Sequence, residues 1–153
     1  MGHYTNMNYQ INPVLMGGLV KEISDDGIVK INLHGRLGVI KVPRKLIVDD
    51  IKLEPGHDLK FYFSYIQMIE RAYEYDSADI NPEYEISPTM LGGKITQVND
   101  TAIEAKMMDG LGSVAVPRRW VFTPAELEVG QDCEFYLSCM KVVGKRDIPE
   151  ITS

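Results

Sequence analysis

Two basic pairs, Arg44-Lys45 and Arg118-Arg119, each follow a Val-Pro dipeptide, and they are the polar residues whose repeated spacing most invites chemistry. Guanidinium and ammonium groups hold phosphates or carboxylates through charge-assisted hydrogen bonds, and Arg36 lies close enough in sequence to join the first pair. Tyr62 and Tyr136 also recur in matching surroundings, offering flat faces on which a base or a partner side chain could stack. The competing reading of the basic pairs is a solvated turn whose charges meet Asp49, Asp50 or Glu126. For the tyrosines it is burial against a neighbouring element, and for Trp120, which stands where the first half has Leu46, packing is the expected role.

Catalytic and metal chemistry find little to work with. His34 and His57 have Met108 and Gln131 in the equivalent places, and Asp58 and Asp132 follow turn glycines, where Asp favours local backbone hydrogen bonds. There is no phosphate-binding loop, dinucleotide fingerprint or nucleophile elbow, so no catalytic residue and no cofactor is assigned and a non-enzymatic role is expected. Cys133 and Cys139 are six residues apart in what reads as one strand. That is roughly 20 Å, against the 4.4–6.8 Å between the α-carbons of a disulfide. With only His3, His34 and His57 beside them, a structural zinc site lacks ligands, and both thiols read as small apolar core residues.

The 153 residues are 44% hydrophobic and 25% charged, as in a folded globular protein. The net charge of −6 is unevenly placed: residues 1–75 balance nine Lys/Arg against nine Asp/Glu, while residues 76–153 set seven against thirteen. A protein that tracks a phosphate backbone is usually basic, so this distribution favours a protein partner over nucleic acid. No apolar run reaches the about 18 residues that span a bilayer, and Met1–Asn8 has no basic start or apolar stretch of a signal peptide, so a cytoplasmic location is expected.

What positions the candidate residues is an internal repeat. Tyr9-Gln10-Ile11-Asn12-Pro13 matches Tyr84-Glu85-Ile86-Ser87-Pro88, and Gly17-Gly18 matches Gly92-Gly93. Further along, Leu37-Gly38, Val42-Pro43-Arg44, Leu53-Glu54 and Phe61-Tyr62 meet Leu111-Gly112, Val116-Pro117-Arg118, Leu127-Glu128 and Phe135-Tyr136. The first copy carries one additional residue. Strand parity puts it in the turn Ser24-Asp25-Asp26-Gly27, opposite Asn99-Asp100-Thr101, because a later position would turn Val29 and Ile31 outward.

Each copy then reads as a leader entering the Gly-Gly pair, which permits a sharp bend or close backbone contact, a hairpin (Leu19–Ile23 and Val29–Leu33 in the first), and a third strand ending at Pro43 or Pro117. A helical turn follows, at Asp49–Leu53 and, with a capping pattern, at Thr123-Pro124-Ala125-Glu126. The last strand turns Leu59, Phe61, Phe63 and Tyr65 inward against Lys60, Tyr62, Ser64 and Ile66 outward, and likewise Cys133, Phe135, Leu137 and Cys139 inward against Glu134, Tyr136, Ser138 and Met140. The expected fold is all-β: two tandem five- to six-stranded barrels related by internal duplication. They span residues 9–69 and 84–143, with a linker over 70–83 and a tail over 144–153, and pack against each other because a sixty-residue core is marginal.

The order G-x-V-x-x-I, V-x-I-x-L, G-x-x-x-V-P and L-x-P-G-x-x-L-x-F, running over Gly18–Ile66 and echoed over Gly93–Met140, resembles S1-like barrels of the OB class. SH3-like and PilZ-like barrels share the same size and punctuation. The S1 resemblance implies single-stranded nucleic acid as an alternative partner, bound through aromatic and basic residues on one face of the barrel, for which Arg44, Lys45, Arg118, Arg119, Tyr62 and Tyr136 are the candidates here. Glu22-Ile23-Ser24-Asp25-Asp26-Gly27 is similar to the D/N-x-S-x-x-G motif of PilZ domains, which implies cyclic di-GMP as a third ligand class. The second copy has no such motif and no Arg precedes Arg36, so the phosphates of that dinucleotide would lack their usual clamp. The preferred expectation is a non-catalytic adaptor engaging a protein partner through the duplicated surface.

Overall fold

The computed structural model describes residues 11–49, 51–69, 88–123 and 126–145. It is all-β, one eleven-stranded sheet interrupted by single 3-10 turns. The expected leader ends Tyr9-Gln10 and Tyr84–Ser87, the linker over 70–83 and the chain after Lys145 lie outside the described residues.

The first half forms β1 (Val14–Ile23), β2 (Ile28–Leu33), β3 (Val39–Pro43), β4 (His57–Phe63) and β5 (Ile66–Ile69). The second forms β6 (Thr89–Val98), β7 (Ala102–Met107), β8 (Ser113–Pro117), β9 (Val121–Phe122), β10 (Asp132–Leu137) and β11 (Lys141–Lys145). In the first half β1 pairs antiparallel with both β2 and β4, and β2 with β3. In the second, β6 pairs with β7 and β10, and β7 with β8, in corresponding register. Alternation explains the strands: Val29, Ile31 and Leu33 face inward from β2, and Ile103, Ala105 and Met107 from β7.

Both hairpins bulge at the same point, between Val20 and Glu22 and between Ile95 and Gln97. The chain from paired Ile23 to Val29 is one residue longer than that from Val98 to Ile103, which puts the additional residue in the turn. There Ser24 bonds Asp26 and accepts from the Ile28 N–H, while Asn99 Oδ1 accepts from the N–H groups of Thr101 and Ala102. Turn side chains of different length thus satisfy loops of different length. The glycine pairs serve close contact rather than a bend. They lie within β1 and β6, where a β-carbon on Gly18 would sit 2.5 Å from Ile31 and one on Gly93 2.8 Å from the Lys106 carbonyl oxygen.

Neither half closes on its own strands among the described residues, which departs from two separately closed barrels. Instead β3 pairs with β8 about the Ile40–Val114 contact, and β4 meets β10 at Phe63–Leu137. These two junctions close a circuit β4-β1-β2-β3-β8-β7-β6-β10 around one apolar core, with Phe61, Phe63 and Phe135 fully buried. The halves also lend each other strands. β5 lies on β10 through Gln67–Glu134 and Met68–Cys133, and β11 lies on β4 through Lys141–Lys60 and Val142–Leu59. A parallel contact locks each loan, Ile66–Val121 on one side and Ile47–Met140 on the other.

This reciprocity corrects three expectations. The long last strand stops at Phe63 and at Leu137, because the chain leaves one sheet for the other; Ile66 and Met140, expected outward, are therefore completely buried. Cys133 and Cys139 consequently belong to different elements, Cys133 in β10 and Cys139 in the crossing beyond it. Gly144 and Lys145, assigned to a tail, are the end of β11, where Lys145 pairs with Glu54 and holds that carboxyl below the usual range by its hydrogen bond. The helical turns also sit elsewhere. They are 3-10 turns at Arg44–Leu46 and Arg118–Trp120, immediately after Pro43 and Pro117, whereas Asp49 and 51–53 are irregular and Pro124-Ala125 lie outside the described residues.

Gly38 and Gly112 set how closely the halves approach. Each has positive φ, +101° and +111°, and a β-carbon there would fall 1.9 Å from the Ala115 carbonyl oxygen or 1.8 Å from that of Lys41. Gly112→Ala is expected to cost at least about 3 kcal/mol, combining left-handed strain with a forced displacement at the β3–β8 junction. Gly110→Ala, at φ +71° in open space, should cost only about 1–2 kcal/mol. Urea denaturation of the two variants separates these outcomes.

Candidate functional site

The two basic pairs follow the ends of β3 and β8, and these strands are antiparallel. Arg44 lies four residues beyond Ile40 in one direction and Arg118 four beyond Val114 in the other, so the pairs are roughly 26 Å apart at strand rise. They do not form one patch. Arg119 instead reaches Arg36, donating to its carbonyl oxygen at 3.4 Å, so these two share one end of the molecule.

Arg44 is absorbed into the framework. Its guanidinium donates to the carbonyl oxygens of Ile47 at 2.8 Å, Asp49 at 2.8 Å and Ile51 at 3.1 Å, fastening the chain that follows the 3-10 turn. That segment positions Asp49, whose carboxylate accepts from the Val142 N–H at 2.7 Å and so covers the outer edge of β11. The Arg118 guanidinium donates to the Asn99 carbonyl oxygen at 3.0 Å at an exposed position, and Lys45 is exposed.

Tyr62 and Tyr136 are brought together. β4 and β10 meet at Phe63–Leu137, and two reciprocal hydrogen bonds bracket that point: the Tyr62 N–H donates to Ser138 Oγ and the Tyr136 N–H to Ser64 Oγ, both at 2.8 Å. Buried hydroxyls thus replace backbone acceptors where the strands part, each passing its own proton to the following carbonyl. With Phe61, Phe63, Phe135 and Leu137 inward, both tyrosines lie on the outer face, diagonal neighbours at about 7–8 Å. Opposite Tyr62 on β1 is Leu15, 47% exposed, and opposite Tyr136 on β6 is half-buried Met90. An outward row Leu15–Tyr62–Tyr136–Met90 therefore crosses four strands. Lys60 and Lys141 flank it on one side; on the other is Glu134, which accepts from Gln67 Nε2 at 2.6 Å. Strand alternation places both tyrosines on the outside, whereas Leu15 and Met90 precede the glycine pairs, and only the pairing of β1 with β4 and β6 with β10 shows that the strands begin before them.

Trp120 packs as expected. It stacks on Tyr65 with ring centroids 3.9 Å apart, Tyr65 stacks on Phe122 at 4.6 Å, and the indole N–H donates to the Ser64 carbonyl oxygen at 2.9 Å. His57 accepts from the Glu54 N–H, and His34 lies 3.5 Å from Asp58. Among the described residues, no group of three or more His, Cys, Asp or Glu is placed to hold a metal ion. Burial pushes the Cys133 thiol up to about 12 and raises that of Cys139 as well, which disfavours the nucleophilic thiolate in both.

Replacing Arg44 by Ala is expected to cost about 2 kcal/mol in urea denaturation followed by Trp120 fluorescence, whereas Lys45→Ala should stay within about 0.5 kcal/mol. At pH 8 a thiol reagent should leave both cysteines of the native protein unmodified over a period in which the urea-unfolded chain reacts completely.

Neither a scan of family models nor a search of curated proteins returns a match. Among the described residues no helix is long and apolar enough to cross a membrane. Among solved structures, the chain is similar to that of the cytoplasmic molybdate-binding protein ModG with molybdate bound, at 14% identity over 88% of this chain and 96% of that one, with a TM-score of 0.28.

Proposed function

We propose that the chain is an internal duplication of one OB-like β module, two copies of which close a single barrel-like circuit, and that it works as a non-catalytic cytoplasmic adaptor engaging a protein partner. The observation that carries this reading is the outward row Leu15, Tyr62, Tyr136 and Met90 at the junction of the halves. Tyrosines flanked by aliphatic side chains favour protein recognition, since such rings bury much area at small entropic cost. Opposite charges at its two ends, Lys60 and Lys141 against Glu134, would fix the direction in which a partner lies. The agreement of bulges, turns and pairing in the two halves supports the duplication.

A nucleic-acid role finds less support, because the basic residues that would hold a backbone are divided between two ends of the molecule. Labelled single-stranded RNA is expected to show no saturable binding even at about 50 mM salt, where phosphate contacts are strongest; tight binding that weakens steeply by 200 mM would replace the adaptor reading. Cyclic di-GMP should likewise give no heat in calorimetry at high micromolar concentration.

The adaptor reading is tested directly by a photo-reactive phenylalanine analogue placed at Tyr62 or Met90 in cells. A discrete protein adduct is expected from both positions, lost when Tyr136→Glu is added and absent when the probe replaces exposed Glu22. Adducts indistinguishable from those of the Glu22 control would defeat it.

A further inference from the structure

The backbone contacts between the halves are reciprocal, and that carries a consequence for assembly. Ser64 accepts from Tyr136 as Ser138 accepts from Tyr62, at the same 2.8 Å. Gly38 lies under the Ala115 carbonyl as Gly112 lies under that of Lys41. β5 completes the sheet at β10 as β11 completes it at β4. Ile40 and Val114 face each other at the centre of one junction, Phe63 and Leu137 at the centre of the other. None of these contacts depends on the two halves belonging to the same polypeptide.

We propose that two copies of this chain exchange halves, the first half of each docking on the second half of the other. The exchanged dimer keeps every junction described above, so as far as these junctions go its free energy differs from that of two monomers mainly by the entropy of association. A half tethered to its mate experiences an effective concentration on the order of millimolar, and exchange therefore competes when chains fold together at concentrations approaching that value. Each dimer displays two complete rows, with Leu15 and Tyr62 from one chain and Tyr136 and Met90 from the other. A monomeric adaptor thereby becomes a two-site one, whatever the row binds.

The test uses full-length chains carrying cysteines on the outer face of the β3–β8 junction. Lys41 and Ser113 are cross-strand partners there, as are Val39 and Ala115. One population carries Lys41→Cys and the other Ser113→Cys. They are unfolded together in urea with reductant, refolded at about 1 to 300 µM, and then oxidised mildly, while Cys133 and Cys139 stay buried. A disulfide-linked heterodimer is expected, its yield relative to monomer rising in near proportion to the chain concentration during refolding. Populations refolded separately and then mixed should give at least tenfold less. The single chain bearing both substitutions, which should cross-link internally, shows that the pair is competent; if it is not, the Val39→Cys and Ala115→Cys pair takes its place. With a competent pair, a heterodimer yield that stays at the level of the separately refolded mixture across the whole range overturns the proposal. Because the readout is a disulfide at β3–β8, it is independent of any partner bound at the tyrosine row.

Discussion

A sheet of four strands ends in two unpaired edges, and this molecule is organised by how those edges are satisfied. Among the described residues β3 has no partner in its own half beyond β2, and β4 has none beyond β1. Pairing β3 with β8, and β4 with β10 at Phe63–Leu137 and with β11 between His57 and Lys60, covers these edges, which would otherwise attract neighbouring chains. The approach is close enough that Gly38 and Gly112 tolerate no side chain, and the strands diverge sharply enough past Phe63 and Leu137 that the hydroxyls of Ser64 and Ser138 take over as acceptors. The loans of β5 and β11 follow from the same divergence, because chain leaving one sheet at that point already lies beside the other. A single core results, large enough to bury three phenylalanines completely, where a sixty-residue unit alone would be marginal.

Within this twofold plan the side chains are not equivalent, and the differences fall in places that matter. The pocket beside the Ser64 crossing holds Trp120, Tyr65 and Phe122 in a stack, whereas Leu46, Cys139 and Val48 occupy the matching positions. On the outer face Lys60 stands where the other half has Glu134. The backbone is paired about a near-twofold axis while the surface along the tyrosine row is polar from one end to the other. That combination gives a partner both a symmetric apolar centre and a direction.

Charge alone was a poor guide to the surface. Arg44 and Arg118 occupy matching positions after matching prolines, and Arg44 directs its guanidinium to three backbone carbonyls while Arg118 donates to the Asn99 carbonyl oxygen. The segment through Asp49 curls back beneath Arg44, and Asp49 in turn covers the β11 edge. A basic residue near irregular chain is as apt to satisfy orphan carbonyls as to meet a phosphate.

From the residues alone came the all-β character, the matching of the two halves, the hairpins, the place of the additional residue and the outward parity of Tyr62 and Tyr136. All of these follow from alternation and turn chemistry, which act over a few residues. Tertiary structure alone decided that β5 and β11 cross over, that Ser64 and Ser138 are buried acceptors, that Ile66 and Met140 turn inward, and that Leu15 and Met90 join the tyrosines. It also decided that the basic pairs part company, since their separation depends on β3 running antiparallel to β8. Local periodicity records which way a side chain points from its own strand; which strand lies beside it is fixed by contacts between residues far apart in the chain, and no local pattern encodes them.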